Sequence, residues 1–191
     1  MDRLTIINRA LMKTGLPLAA SLNDCDWNAS VIFEDVTEEL LRGHPWGFAQ
    51  KFAVLNSPEG TPAHGFNYCY KLPDDAARAI DVRGEHDLRS PRGRFVLSGR
   101  RVYCNLKPCN LRYVARILDP DEWPPDFANA VSARIAQEIA ALSAESMGLV
   151  PQLAQLAQIA LGQAQLTDAR ETTERVSLPE SVYQNRRSGQ G

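Results

Sequence analysis

No run of eighteen apolar residues occurs anywhere in this 191-residue sequence, so no membrane-spanning helix is expected. Nor does the opening Met1-Asp2-Arg3-Leu4-Thr5-Ile6-Ile7 carry the long apolar core of a secretory signal, which predicts a cytoplasmic origin and reduced thiols. An excess of one charge is also missing. The chain sets 21 Lys plus Arg against 23 Asp plus Glu, and without a basic surplus it is not expected to wrap DNA, although DNA can pass a neutral or acidic surface. Catalytic signatures are missing too: there is no phosphate-cradling Gly-x-x-x-x-Gly-Lys-Ser/Thr, no Gly-x-Gly-x-x-Gly, no His-Glu-x-x-His and no Gly-x-Ser-x-Gly. An enzyme would have to assemble its site from residues dispersed along the chain, so the expectation is a protein without catalytic residues, metal or cofactor. What is present is ordinary for a globular fold, with 44% hydrophobic and 23% charged residues. The length suits one domain, or one with an appendage, burying roughly 70% of its unfolded surface.

The scarce reactive residues have plain readings. Cys104-Asn105-Leu106-Lys107-Pro108-Cys109 places two thiols across a turn, but Cys25 and Cys69 stand alone and no histidine lies at ligand spacing, so structural cysteines are favoured over zinc. His44, His64 and His86 fall in loops or at helix ends and read as surface residues. Asp74-Asp75 follows Leu72-Pro73 and reads as a turn whose carboxylates cap backbone N–H groups. Arg112 and Arg116 alternate with apolar residues and should share a face, available either to solvent or to a neighbouring subunit. Trp46, Phe48 and Phe52 are expected to fill the junction between helices and sheet.

Periodicity predicts an α+β fold. Leu4, Ile7 and Leu11 make one face of a helix over residues 3 to 14, with Asp2 as cap and Gly15 and Pro17 as its end. A second helix is expected from a cap at Asn23-Asp24, through Trp27, Val31, Val36 and Leu40, to Gly43. Short apolar stretches then predict strands over 52–55, 66–72, 79–82, 94–97, 101–105 and 111–117, with a tight hairpin at Ser98-Gly99. Pro124-Pro125 opens a third helix through Phe127, Val131, Ile135, Ile139 and Leu142 towards Gly148, and Pro151 opens a fourth carrying Leu153, Leu156, Ala160 and Ala164. These two alanine-rich helices are expected to pack as an antiparallel hairpin against the first two. The arrangement is a four-helix bundle (1–47 and 119–170) with a mainly antiparallel β domain (48–118) inserted between helices 2 and 3, and an extended C-terminal tail (171–191).

Three stretches in this order carry a resemblance: Leu40-Leu41-Arg42-Gly43-His44-Pro45-Trp46-Gly47-Phe48-Ala49, then Tyr70-Lys71-Leu72-Pro73-Asp74-Asp75, then Gly99-Arg100-Arg101-Val102-Tyr103-Cys104-Asn105. It continues through Leu111-Arg112-Tyr113-Val114 and Asp119-Pro120-Asp121-Glu122-Trp123-Pro124-Pro125-Asp126-Phe127 and ends near Asp168-Ala169-Arg170-Glu171. In this the chain resembles bacteriophage head-to-tail adaptors, or connectors, of the podophage tail tubular protein A family. The resemblance implies a structural virion protein of the neck, assembled in the host cytoplasm. It implies a homo-oligomeric ring of about twelve copies between portal protein and tail or nozzle proteins, with a channel that DNA traverses without sequence-specific binding.

Within that picture the tail supplies portal-binding candidates, with Val176, Leu178, Val182 and Tyr183 as apolar anchors and Arg186 and Arg187 for charge pairing. Arg112 and Arg116 are the inter-subunit candidates. Two other classes compete with the adaptor: a small-molecule enzyme or ligand-binding domain with its site in the β region, and a regulatory protein docking through its helices.

Overall fold

Asp2 accepts the Thr5 N–H at 2.8 Å and opens α1 (Arg3–Thr14), which Gly15 closes in the left-handed conformation at φ 77°. The computed structural model describes residues 1–25, 28–84 and 92–172. α2 (Ala29–Gly43) begins later than the sequence pattern predicts. The Asp24 carboxylate accepts the Ser21 N–H at 2.6 Å and closes a separate 3-10 turn, so it is not free to cap the helix, and Asn28 does so instead. The buried face of α2 is Phe33, Val36, Leu40 and Leu41; Val31, expected inside, is exposed. Trp27 lies outside the described residues.

Among the described residues, six strands follow α2: β1 (Gln50–Leu55), β2 (Tyr68–Lys71), β3 (Ala76–Arg83), β4 (Phe95–Ser98), β5 (Arg101–Cys104) and β6 (Cys109–Ala115). They form two small antiparallel sheets, ordered β1-β6-β3 and β2-β5-β4. The β4–β5 hairpin turns where the sequence predicts, with Gly99 at φ 59°, a conformation that costs a side chain about 1 kcal/mol or more. The sheets share one core. Tyr70 and Val102 of the second pack with Val82 and Leu111 of the first, and the Tyr70 hydroxyl donates to the Leu106 carbonyl at 2.8 Å.

Pro125 starts α3 (Pro125–Leu142), which stops short of Gly148: Ser143 turns extended, and two turns closed by Ser146 and Leu149 N–H groups lead into α4 (Val150–Thr172). The fold is therefore α+β, with four helices and two small antiparallel sheets. α3 is the hub. Its alanines Ala128, Ala130, Ala133, Ala136 and Ala140 are buried on several sides, letting α1, α2 and α4 approach closely, and it is α3 rather than α4 that carries the contact with the first two helices. An aromatic cluster fills the junction with the sheets: Trp123 stacks on Phe33 at 5.5 Å between centroids, and Phe127 meets Trp46 at 4.9 Å and Phe48 at 5.0 Å. Both indoles are satisfied, Trp46 Nε1 by the Leu40 carbonyl and Trp123 Nε1 by the Ile117 carbonyl. No helix of the described residues is long and apolar enough to cross a membrane.

Candidate functional site

Alternation along β6 sends Leu111 and Tyr113 to the core and leaves Asn110 and Arg112 on the opposite, outer face of the first sheet. Cross-strand register completes that face: Phe52 and Asp81 flank Arg112, and Val54 and Arg83 flank Asn110. Half of it is charged. Asp81, only 3% exposed, accepts from Arg112 Nη2 at 2.6 Å, with Arg83 Nε at 3.4 Å and Arg92 Nε at 3.6 Å. A buried carboxylate is costly unless paired, and here three guanidiniums reach it. Among the described residues, Arg112 Nε and Asn110 Oδ1 are buried and find no hydrogen-bond partner. The other half is apolar and open. Phe52, expected to fill the core, is 58% exposed because it sits on the outer face of an edge strand, and Val54 beside it is also exposed.

Arg116 lies just past β6 and is held within the chain, its Nε 2.9 Å from Glu38 and its Nη2 3.1 Å from Glu34 on α2; those carboxylates push its guanidinium further up. The two inter-subunit candidates thus sit apart, Arg112 on the open part of the sheet and Arg116 against α2. Asp74 and Asp75 do form a turn, but their carboxylates serve side chains rather than backbone: Asp74 meets Lys71, and Asp75 accepts from Lys51 at 2.9 Å and from Tyr113 at 3.1 Å. Burial pushes the Asp75 carboxyl up, but the hydrogen bonds from Lys51 and Tyr113 outweigh it and hold the group below its usual range. Burial and the same carboxylate push the Tyr113 phenol up to about 12.

Cys104 and Cys109 are both buried, at the end of β5 and the start of β6, and the Cys104 thiol donates to the Leu106 carbonyl at 3.8 Å. The neighbouring Cys109 thiol brings Cys104 down to about 7, and Cys104 together with burial pushes Cys109 up. No third ligand joins them: among the described residues no three Cys, His, Asp or Glu side chains gather as a metal site requires. His44 is more than a surface histidine. Its Nε2 lies 2.9 Å from Asp168 Oδ2, and Asp168 Oδ1 accepts the Gly47 N–H at 2.7 Å, so the last turns of α4 are fastened to the entry of β1. His64 meets the Tyr103 ring edge-on at 5.1 Å, and His86 lies outside the described residues.

α4 contributes a second surface. It buries Leu153, Ala157, Ala160 and Ala164 against α3, while Leu156, Ile159 and Leu166 are 40%, 59% and 61% exposed on the far side. From Ser146 to Thr167 the chain has no charged residue, and glutamines separate the aliphatic side chains. The portal-binding candidates Val176, Leu178, Val182, Tyr183, Arg186 and Arg187 lie outside the described residues. Sequence reasoning missed Asp81 and Arg83, although two charges two residues apart within the apolar run Ala79-Ile80-Asp81-Val82-Arg83 mark one face of a strand. It also placed Leu156 among the packed residues of α4, where it is exposed, and passed over Ile159 and Leu166. No protein-family model matches the chain, and no curated protein does either.

Proposed function

We propose that this chain is a structural head-to-tail adaptor of a bacteriophage, a ring of about twelve copies between portal and tail around a channel for DNA. In this reading residues 1–47 and 119–170 form the ring's helical body and residues 48–118 an inserted β domain. α4 runs to Thr172, past the boundary the sequence suggests, and the tail beyond it attaches the ring to the portal through Val176, Leu178, Val182, Tyr183, Arg186 and Arg187. The observation that carries the assembly half is the uncharged outer side of α4 with its three exposed aliphatic residues. The part of α4 before Asp168, 18 residues from Val150 to Thr167, is about 27 Å long, and a solvent-facing side of that length in a lone protein is normally charged. Left bare it is an association surface.

A closed ring needs heterologous contacts, in which one patch meets a different patch on the neighbour. A second exposed apolar group exists at the rim of an open groove of about 740 Å³ between the ends of α1 and α3, where Leu18 and Leu142 stand out. Arg112, on the open face of the first sheet, is the candidate for charge pairing across the same contact. The specific assignment to a phage neck rests on the ordered motifs from Leu40 to Glu171, whose aromatic members Trp46, Trp123 and Phe127 meet in one cluster.

Electron microscopy of the chain mixed with portal protein tests the reading. Closed rings seated on portals are expected. A chain that stays single with the portal present, at concentrations far above those of the cell, refutes it.

A further inference from the structure

We propose that residues 174–178 of the chain's own C-terminal segment add to the free edge of β1 as a fourth strand of the first sheet, parallel to β1. β1 pairs on one side only, with β6, and no described residue bonds the backbone of its other edge. Proteins usually blunt such an edge with charge, proline or a covering element. Here the one charge, Lys51, belongs to the opposite face and is tied to Asp75, while Phe52 and Val54 stand bare on the outer face.

The tether decides what covers it. Asp168 accepts from Gly47, three residues before β1 begins, and α4 ends only four residues after Asp168, so the chain leaves α4 beside the point where β1 starts. Nineteen residues follow Thr172. Both segments depart from one fastened point, which makes the pairing parallel. It also places Glu174 beside Gln50, Val176 beside Phe52 and Leu178 beside Val54.

The sequence fits that register. Glu174, Val176 and Leu178 alternate with Arg175 and Ser177, so an extended strand puts the two aliphatic residues on one face at the two-residue spacing of Phe52 and Val54. Pro179 has no N–H to give and ends the pairing there. Parallel pairing is slightly weaker per residue than antiparallel, but the covalent tether sets an effective concentration on the order of millimolar, so a short strand suffices. The inference stands apart from the adaptor reading. If both hold, it assigns Val176 and Leu178 to the chain's own sheet and leaves Val182, Tyr183, Arg186 and Arg187 for the portal.

Trypsin digestion of the full chain, at concentrations where it is a monomer, reads the docking directly, since Arg175 lies inside the proposed strand and Arg186 and Arg187 lie beyond it. Cleavage after Arg175 is expected to be at least about tenfold slower than after Arg186 or Arg187, as for a segment that must open before it is cut. Phe52→Asp, an exposed position whose change leaves the core alone, and Leu178→Asp should each abolish the difference, while Val182→Asp should not. Equal cleavage in the unaltered chain overturns the proposal, as does protection that survives both docking substitutions. Protection that appears only as concentration rises overturns it too, because the occupant would then be a neighbouring copy's tail.

Discussion

Burying a carboxylate costs several kcal/mol unless cations and hydrogen bonds replace the water it loses, and Asp81 meets that cost through Arg112, Arg83 and, at the surface, Arg92. Substituting Asp81→Asn keeps the shape and removes the charge, leaving the half-buried Arg112 without its counter-ion. A loss of about 3 kcal/mol in urea unfolding is expected, most of it from Arg112 and Arg83, because the exposed Arg92 is screened by solvent. A loss below about 1 kcal/mol would mean that the cluster carries little of the sheet's stability. Asp75 is the contrasting case. It is 41% exposed, so its pairs with Lys51 and Tyr113 are worth only about 0.5 kcal/mol after screening. Its folded-state value is depressed, so that contribution is present above the unfolded value near pH 4 and disappears as pH falls through the lower folded one. Asp75→Asn should accordingly be less stable than the unaltered chain at pH 7 and no different from it at about pH 2, measured by urea midpoints at both.

Local signals read well where one residue decides an element's boundary. Asp2, Gly15, Gly99 and the Pro124-Pro125 pair each act within a turn of their own position, and all four do what their chemistry predicts. Competition between local signals is harder to read. Asn23, Asp24 and Asn28 all suit a helix cap, and only the three-dimensional fact that Asp24 bonds Ser21 removes it from contention. Phe52 was misread for a related reason: which strand lies at a sheet edge follows from pairing order, which alternation along one strand does not encode. The fastening of α4 was illegible too, since His44, Gly47 and Asp168 are brought together from positions more than a hundred residues apart. Asp168→Ala removes the acceptor of both bonds. It should cost about 1 to 2 kcal/mol and raise hydrogen exchange in the last turns of α4 and around Gly47, with α1 unaffected. Unchanged exchange there would show that packing on α3 alone holds the helix end.

For the molecule as a whole, the balance of interest is between the outer side of α4 in water and the same side against another subunit. Leu156, Ile159 and Leu166 are exposed by 40% to 61%, so the folded monomer gains little from them, and changing them should leave its stability nearly untouched. Covering them in a contact is different, since burying an aliphatic side chain is worth about 1.5 to 3 kcal/mol and burying an unpaired carboxylate is strongly unfavourable. Ile159→Glu combined with Leu166→Glu should therefore keep the helical circular dichroism and the unfolding midpoint while weakening each subunit contact by about 3 kcal/mol or more, over a hundredfold in Kd. In a closed ring every contact suffers the same loss, so sedimentation should show a ring giving way to single subunits with no mixed populations of stable size. The charge-conserving comparison, Gln155→Ala with Gln158→Ala, should assemble as the unaltered chain does. Rings that persist with two glutamates on α4 would place the contact elsewhere, leaving the groove beside Leu18 and Leu142 and the open face around Arg112 as the surfaces that join one copy to the next.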